Sequence, residues 1–137
     1  MASISTLRDG IRNQIRDVSG ITGYDVLSES LDDPAAVVFP VTLERMTGGA
    51  GTFAYQFMVE VYVPLALGLE NAQDVLDNFI DPKHAKSLEA AIEADRTLGG
   101  IAQSASVGGF TNYRYWSRVS DSKATHLTAR IPVEVYA

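Results

Sequence analysis

The stretch from Thr52 to Leu65, TFAYQFMVEVYVPL, constrains the fold more than any other part of the chain. Phe53, Tyr55, Phe57, Val59, Val61 and Val63 fall on one side of it, and Thr52, Ala54, Gln56, Met58, Glu60 and Tyr62 on the other. Successive strand side chains point to opposite faces, so the pattern predicts one buried apolar row and one mixed row left for solvent or a partner. The segment before it reads as its hairpin partner, and the segment after it as helix.

A chain of 137 residues is most simply a single domain, 1–137, long enough to bury a hydrophobic core. Hydrophobic residues make up 46% and charged residues 20%, a balance that argues against disorder. The formal charge is -6, a poor basis for grasping nucleic acid, which needs clustered Lys and Arg. A surface past which DNA slides without sticking remains compatible with it. Cysteine is absent, which removes disulfides and thiolate chemistry. No apolar run is long enough for a spanning helix, and MASISTLRDGIR carries charges where a signal peptide needs its apolar core. A soluble, cytoplasmic protein with no membrane contact is the expectation.

Ile4, Leu7, Ile11, Ile15 and Val18 recur at helical spacing, with Ser3 or Ser5 as N-cap and Gly20 as stop. Gly10 lies inside this helix and weakens it by about 1 kcal/mol relative to Ala. Its polar face mixes Arg8, Asp9, Arg12 and Asp17, unlike a cationic membrane-surface helix. Residues 19–34 read as a polar connection. A strand then starts at Ala35, bends at Pro40 and continues through Arg45. Gly48, Gly49, Ala50 and Gly51 form the reversal, because glycine supplies the positive φ a hairpin needs. Beyond Pro64, Asn71 is the expected N-cap of a helix burying Ala72, Val75, Leu76, Phe79 and Ile80, broken at Asp81-Pro82. A second helix buries Leu88, Ala91 and Ile92 and stops at Leu98-Gly99-Gly100. Ile101–Val107, Phe110–Val119 and Leu127–Tyr136 read as strands. Pro132 cannot donate to a ladder, which predicts an edge or a bulge there. The fold class is α+β: a mostly antiparallel sheet with a long β-hairpin, packed against an N-terminal helix and a central helix pair.

No catalytic constellation stands out. His84 and His126 are the only histidines, too few for a histidine-based metal centre, so neither a metal site nor a cofactor is expected. None of Ser104, Ser106, Ser117, Ser120 and Ser122 lies in a Gly-x-Ser-x-Gly elbow. Glu89, Glu93 and Asp95 suit a solvated helix face better than an acid/base pair. Tyr113, Arg114, Tyr115 and Trp116 look like a stacking platform for nucleic acid, but in an acidic chain a core or subunit interface fits them better. Met58, Tyr62 and Tyr136 are apolar or aromatic on nominally outer faces, and such rows mark partner surfaces.

Taken in order, several stretches carry a family likeness: DPAAVVFP at 33–40, YQFMVEV at 55–61, NAQDVLD at 71–77, SLEAAIEADRTLGG at 87–100 and IPVEV at 131–135. The chain resembles the tail terminator (tail completion) proteins of long-tailed bacteriophages of the siphophage type. The 101–126 region departs most from that likeness. The resemblance implies a structural virion protein of the tail or neck, assembled in the host cytoplasm and not an enzyme. It implies a homohexameric ring that caps the tail tube protein, stops its polymerisation and offers a face to the head–tail connector or stopper. DNA would pass through the lumen without specific binding. Gln56, Met58, Glu60 and Tyr62, the hairpin tip at Gly49 and Ala50, and Tyr136 are the expected assembly contacts. The alternative in the same setting is a connector, stopper or other neck or minor tail protein. From another class, a small-ligand-binding or hydrolytic domain would need a pocket where His126 or carboxylates converge.

Overall fold

The computed structural model describes residues 3–16, 18, 21–24, 34–45, 53–117 and 124–137. In chain order these form α1 (Ile4–Ile15), β1 (Thr22–Tyr24), β2 (Ala35–Arg45), β3 (Phe53–Pro64), a 3-10 turn (Leu65–Leu67), α2 (Leu69–Ile80), α3 (Leu88–Glu93), β4 (Ser104–Val107), β5 (Thr111–Trp116) and β6 (His126–Tyr136). The α+β expectation is met. One sheet runs in the order β1-β2-β3-β6-β4, with β5 also paired to β6. Only β1–β2 is parallel. The reversal expected at Gly48, Gly49, Ala50 and Gly51 lies outside the described residues, between the antiparallel β2 and β3.

The alternation in β3 does what its period requires. Tyr55, Phe57, Val59, Val61 and Val63 are buried, and Leu127, Ala129, Ile131, Val133 and Val135 of β6 extend the same row. Leu7, Ile11 and Ile15 of α1, Ala72, Leu76 and Phe79 of α2, and Leu88 and Ile92 of α3 cover it. Each Val, Leu, Ile or Phe among them contributes about 1.5–3 kcal/mol when taken from water. α1 packs on β2 and α3, while α2 lies across β3 and β6. Ser3 caps α1, its hydroxyl accepting the Thr6 N–H at 3.1 Å.

Several local expectations change. The connection over 19–34 contains β1, whose Thr-Gly-Tyr is too short to show a period and forms by pairing with Ala35–Val37. α2 starts at Leu69, not behind Asn71, because Gly68 at φ 92 turns the chain out of the 3-10 turn with no side-chain cap. α3 ends at Glu93, before the glycine pair. Asp95 organises the following turn: its carboxylate accepts the N–H groups of Thr97 and Gly99, both at 3.0 Å, and the Thr97 hydroxyl at 2.6 Å. Those bonds, the Thr97 hydroxyl first, hold the Asp95 carboxyl below its usual range. Leu98 (φ 52), Gly99 and Gly100 then complete a left-handed run that buries Leu98.

Pro132 is neither at an edge nor in a bulge. It lies within β6, which is flanked by β3 on one side and by β4 and β5 on the other. β5 pairs with β6 up to Arg130 and β4 from Val133, so Pro132 falls where the neighbouring strand changes. Its carbonyl accepts Gly108 N–H at 2.9 Å on that side, so the missing N–H faces the same gap and breaks no ladder. Gly108 is required there: a Cβ would stand 2.9 Å from the Pro132 ring.

Gly10 has a packing role that helix propensity alone does not reveal. A Cβ there would meet Ile101 Cδ1 at 2.7 Å and Leu98 Cβ at 3.1 Å. Ile101 can swing its terminal methyl aside; Leu98 Cβ, one bond from the backbone, cannot. Gly10→Ala is therefore expected to lose about 1 kcal/mol net, overpacking outweighing the propensity gain, as read from urea denaturation midpoints.

Candidate assembly surface

The outer row of β3, the face turned away from the helices, divides at Glu60. Towards Pro64 it is closed. Tyr62 is 3% exposed and packs with Ala35, Val37, Phe39 and Trp116 in a second, smaller cluster. β5 brings Trp116 opposite His126, and the Tyr62 and Trp116 rings meet edge-on at 5.0 Å. The His126 ring stands 5.4 Å from Trp116, and its Nδ1 lies 2.7 Å from the Thr125 hydroxyl. Beside them Glu60, 5% exposed, lies 3.3 Å from Arg130 Nε and 3.9 Å from an Arg114 amino group. Glu60 and Tyr62 are thus buried within the chain, contrary to the expectation that they are displayed. The reason is β5, whose side chains fold Arg114 and Trp116 over that half of the sheet.

Beyond Glu60 the row opens at Met58 and Gln56, and Ala54 at its end is buried again. Gln56 and Met58 are half-buried and border a shallow depression of about 360 Å³, also lined by Val41, Ser106, Gly108, Pro132 and Glu134. Val41 follows Ala35, Val37 and Phe39 onto this face by simple alternation and is 53% exposed; the register shift between Pro40 and Thr42 instead turns Leu43 to the row of Tyr55. Tyr136 is half-buried, its hydroxyl donating to Glu134. Of the residues expected at an interface, Gln56 and Met58 come together, Tyr136 lies further along the same face, and Gly49 and Ala50 lie outside the described residues. Val41 and Pro132 join the site unforeseen, although alternation from Ala35 through Phe39 already carries Val41 to this face.

The remaining polar candidates serve the fold. His84 Nδ1 accepts Lys86 N–H at 3.0 Å in the turn after α2. Glu93 pairs with Arg96 at 2.8 Å and accepts Val107 N–H at 3.3 Å. Among the described residues no three His, Asp or Glu converge as metal ligands. Tyr113 leans to the helical side and donates to Asp77 at 3.0 Å, whereas Tyr115 is 57% exposed.

Burial, then Glu60, pushes the Tyr62 phenol far above its ordinary value; burial, then the Asp77 bond, pushes Tyr113 up to about 12. A raised phenol pKa favours the neutral ring in the folded state. Its contribution is complete below about pH 10 and is lost as pH rises through the folded value. Tyr62→Phe and Tyr113→Phe are expected to flatten the alkaline fall in melting temperature between about pH 10 and about pH 12. Burial also separates two substitutions of the same row. Tyr62→Asp is expected to cost about 3–5 kcal/mol, whereas Met58→Asp stays within about 1 kcal/mol, by denaturant titration. A scan of protein-family models finds no match to the chain, and a comparison with curated proteins finds none either.

Proposed function

We propose that this protein is a non-enzymatic subunit of a phage tail, a terminator that assembles as a ring on the finished tube. The observation that carries the reading is the open half of the sheet's outer face. There Met58, Val41 and Pro132 border a depression that no described element covers, while the other half of the face is closed by β5. An apolar, shallow, mixed-polarity surface suits a protein partner better than a small ligand, which favours deep concave sites. The resemblance over five stretches supports the same reading and names the partner as tail tube protein. The acidic balance supports a lumen that lets DNA pass with little adhesion. On this reading the depression receives the tube, further polymerisation is blocked because the ring offers no tube-like surface beyond it, and the opposite side of the ring meets the connector.

The test is co-sedimentation with purified tail tubes, with native mass spectrometry of the free protein. Wild type is expected as a ring, of hexameric mass, that binds tube ends. Met58→Asp is expected to weaken tube binding about tenfold, roughly 1.4 kcal/mol, without a matching change in melting temperature. A protein that stays monomeric alone and with tubes contradicts the proposal. Co-sedimentation with filled heads but not with tubes assigns it instead to the connector side.

A further inference from the structure

The six large apolar side chains exposed among the described residues are not scattered. Val41 borders the Met58 depression; of the other five, Ile4 and Leu43 belong to α1 and β2, and Leu69, Phe110 and Tyr115 to the start of α2, the turn before β5 and β5 itself. These are opposite edges of the sheet, since β2 lies beyond β3 on one side and β5 beyond β6 on the other. α1 rides on β2. Leu69 joins the second edge because Leu65 N–H donates to the Thr125 carbonyl and Thr125 N–H to that of Trp116, tying the approach to α2 to the end of β5. Among the described strands β1 pairs with only Ala35–Val37 of β2, and no other described strand pairs with the rest of that side.

Charge follows the same division. Arg8 and Arg12 of α1 and Arg16 at its C-cap recur every four residues, on the flank away from Gly10 and Gln14, which face Ile101 and α3. Arg12 keeps a pair with Asp9 at 3.5 Å within the helix. Across the molecule, Phe110 stacks edge-on with Tyr113 at 6.3 Å, and Tyr113 bonds to Asp77 of α2, with Asp74 one turn earlier. On the helical side one edge is aliphatic and carries the three arginines beside Asp9, and the other is aromatic and carries Asp74 and Asp77, while Arg114 of β5 lies on the opposite face beside Glu60.

We infer that these edges are the two halves of one contact, in which the α1–β2 edge of one copy docks on the β5–α2 edge of the next. The apolar side chains supply the area removed from water, and arginine against carboxylate sets orientation and rejects like-edge pairing. Because the two surfaces differ, the contact is head-to-tail and closes on itself only as a ring. This rests on the ring reading and specifies which surfaces join the copies, leaving the Met58 depression free for the tube.

Leu43→Glu and Tyr115→Glu each disable one edge at an exposed side chain. Wild type is expected to assemble, and each variant alone to run as a folded monomer by light scattering, with an unchanged melting temperature. An equimolar mixture is expected to give a dimer and nothing larger, because each pair retains one intact junction. Should either variant melt early, Ile4→Glu and Phe110→Glu repeat the experiment on the same edges. Variants that assemble like wild type, or a mixture that stays monomeric, overturn the inference while the ring reading stands. Tyr115→Glu assembling normally but failing to bind tubes overturns it by giving that edge to tube protein. A wild type monomeric even with tubes removes both.

Discussion

β3 and β6 pair without interruption from Ala54 opposite Tyr136 to Pro64 opposite His126, and the remaining elements depend on that pairing. β2 adds to the free side of β3, β4 and β5 share the free side of β6, and α2 spans both central strands. The inner rows of the pair form one continuous apolar surface, from Tyr55 and Phe57 to Ile131 and Val135. Without the partner strand each row would be half as wide and would leave the helices too little to cover. Pro132 shows how tightly the arrangement is specified. A proline in a central strand normally costs a ladder bond, yet here its donor-free side faces the switch from β5 to β4, and Gly108 leaves room for its ring.

The outer face of the same pair has two fates. Near Glu60 a carboxylate is almost fully withdrawn from water, which is tolerable only with cationic partners. Arg130 supplies one from β6 and Arg114 another from β5. Tyr62 and Trp116 complete the cover, so this half is a second small core. At Met58 the cover stops, because β5 ends its pairing and β4 takes over, and Ser106 and Gly108 there are too small to reach across the sheet. The proposed contact with tail tube protein belongs to that uncovered half. The proposed contact between copies belongs to the edges.

Much of the fold was legible because it rests on periodicity. The buried row of β3, the apolar stripe of α1 at Leu7, Ile11 and Ile15, and the face of α2 at Ala72, Leu76 and Phe79 all follow from spacing alone. Local signals that compete with neighbours were less legible. Asn71 looks like a cap, but Gly68 and the preceding 3-10 turn start α2 earlier; the pair Gly99-Gly100 looks like a helix stop, but Asp95 has already taken the chain out of α3.

The sequence by itself determined the fold class and the inner row of the sheet, because hydrophobic period is a property of the chain. Only the tertiary structure decided the outer face. Whether Glu60 and Tyr62 are displayed depends on where a strand fifty residues later is laid, and alternation specifies only that they share a side. The long strand from Phe53 to Pro64 therefore reads in the sequence as two faces, one buried and one open. In the fold it has three surfaces: a core row, a covered half and an open half. The difference arises because β5 brings Arg114 and Trp116 to one end of that outer row and leaves the other uncovered.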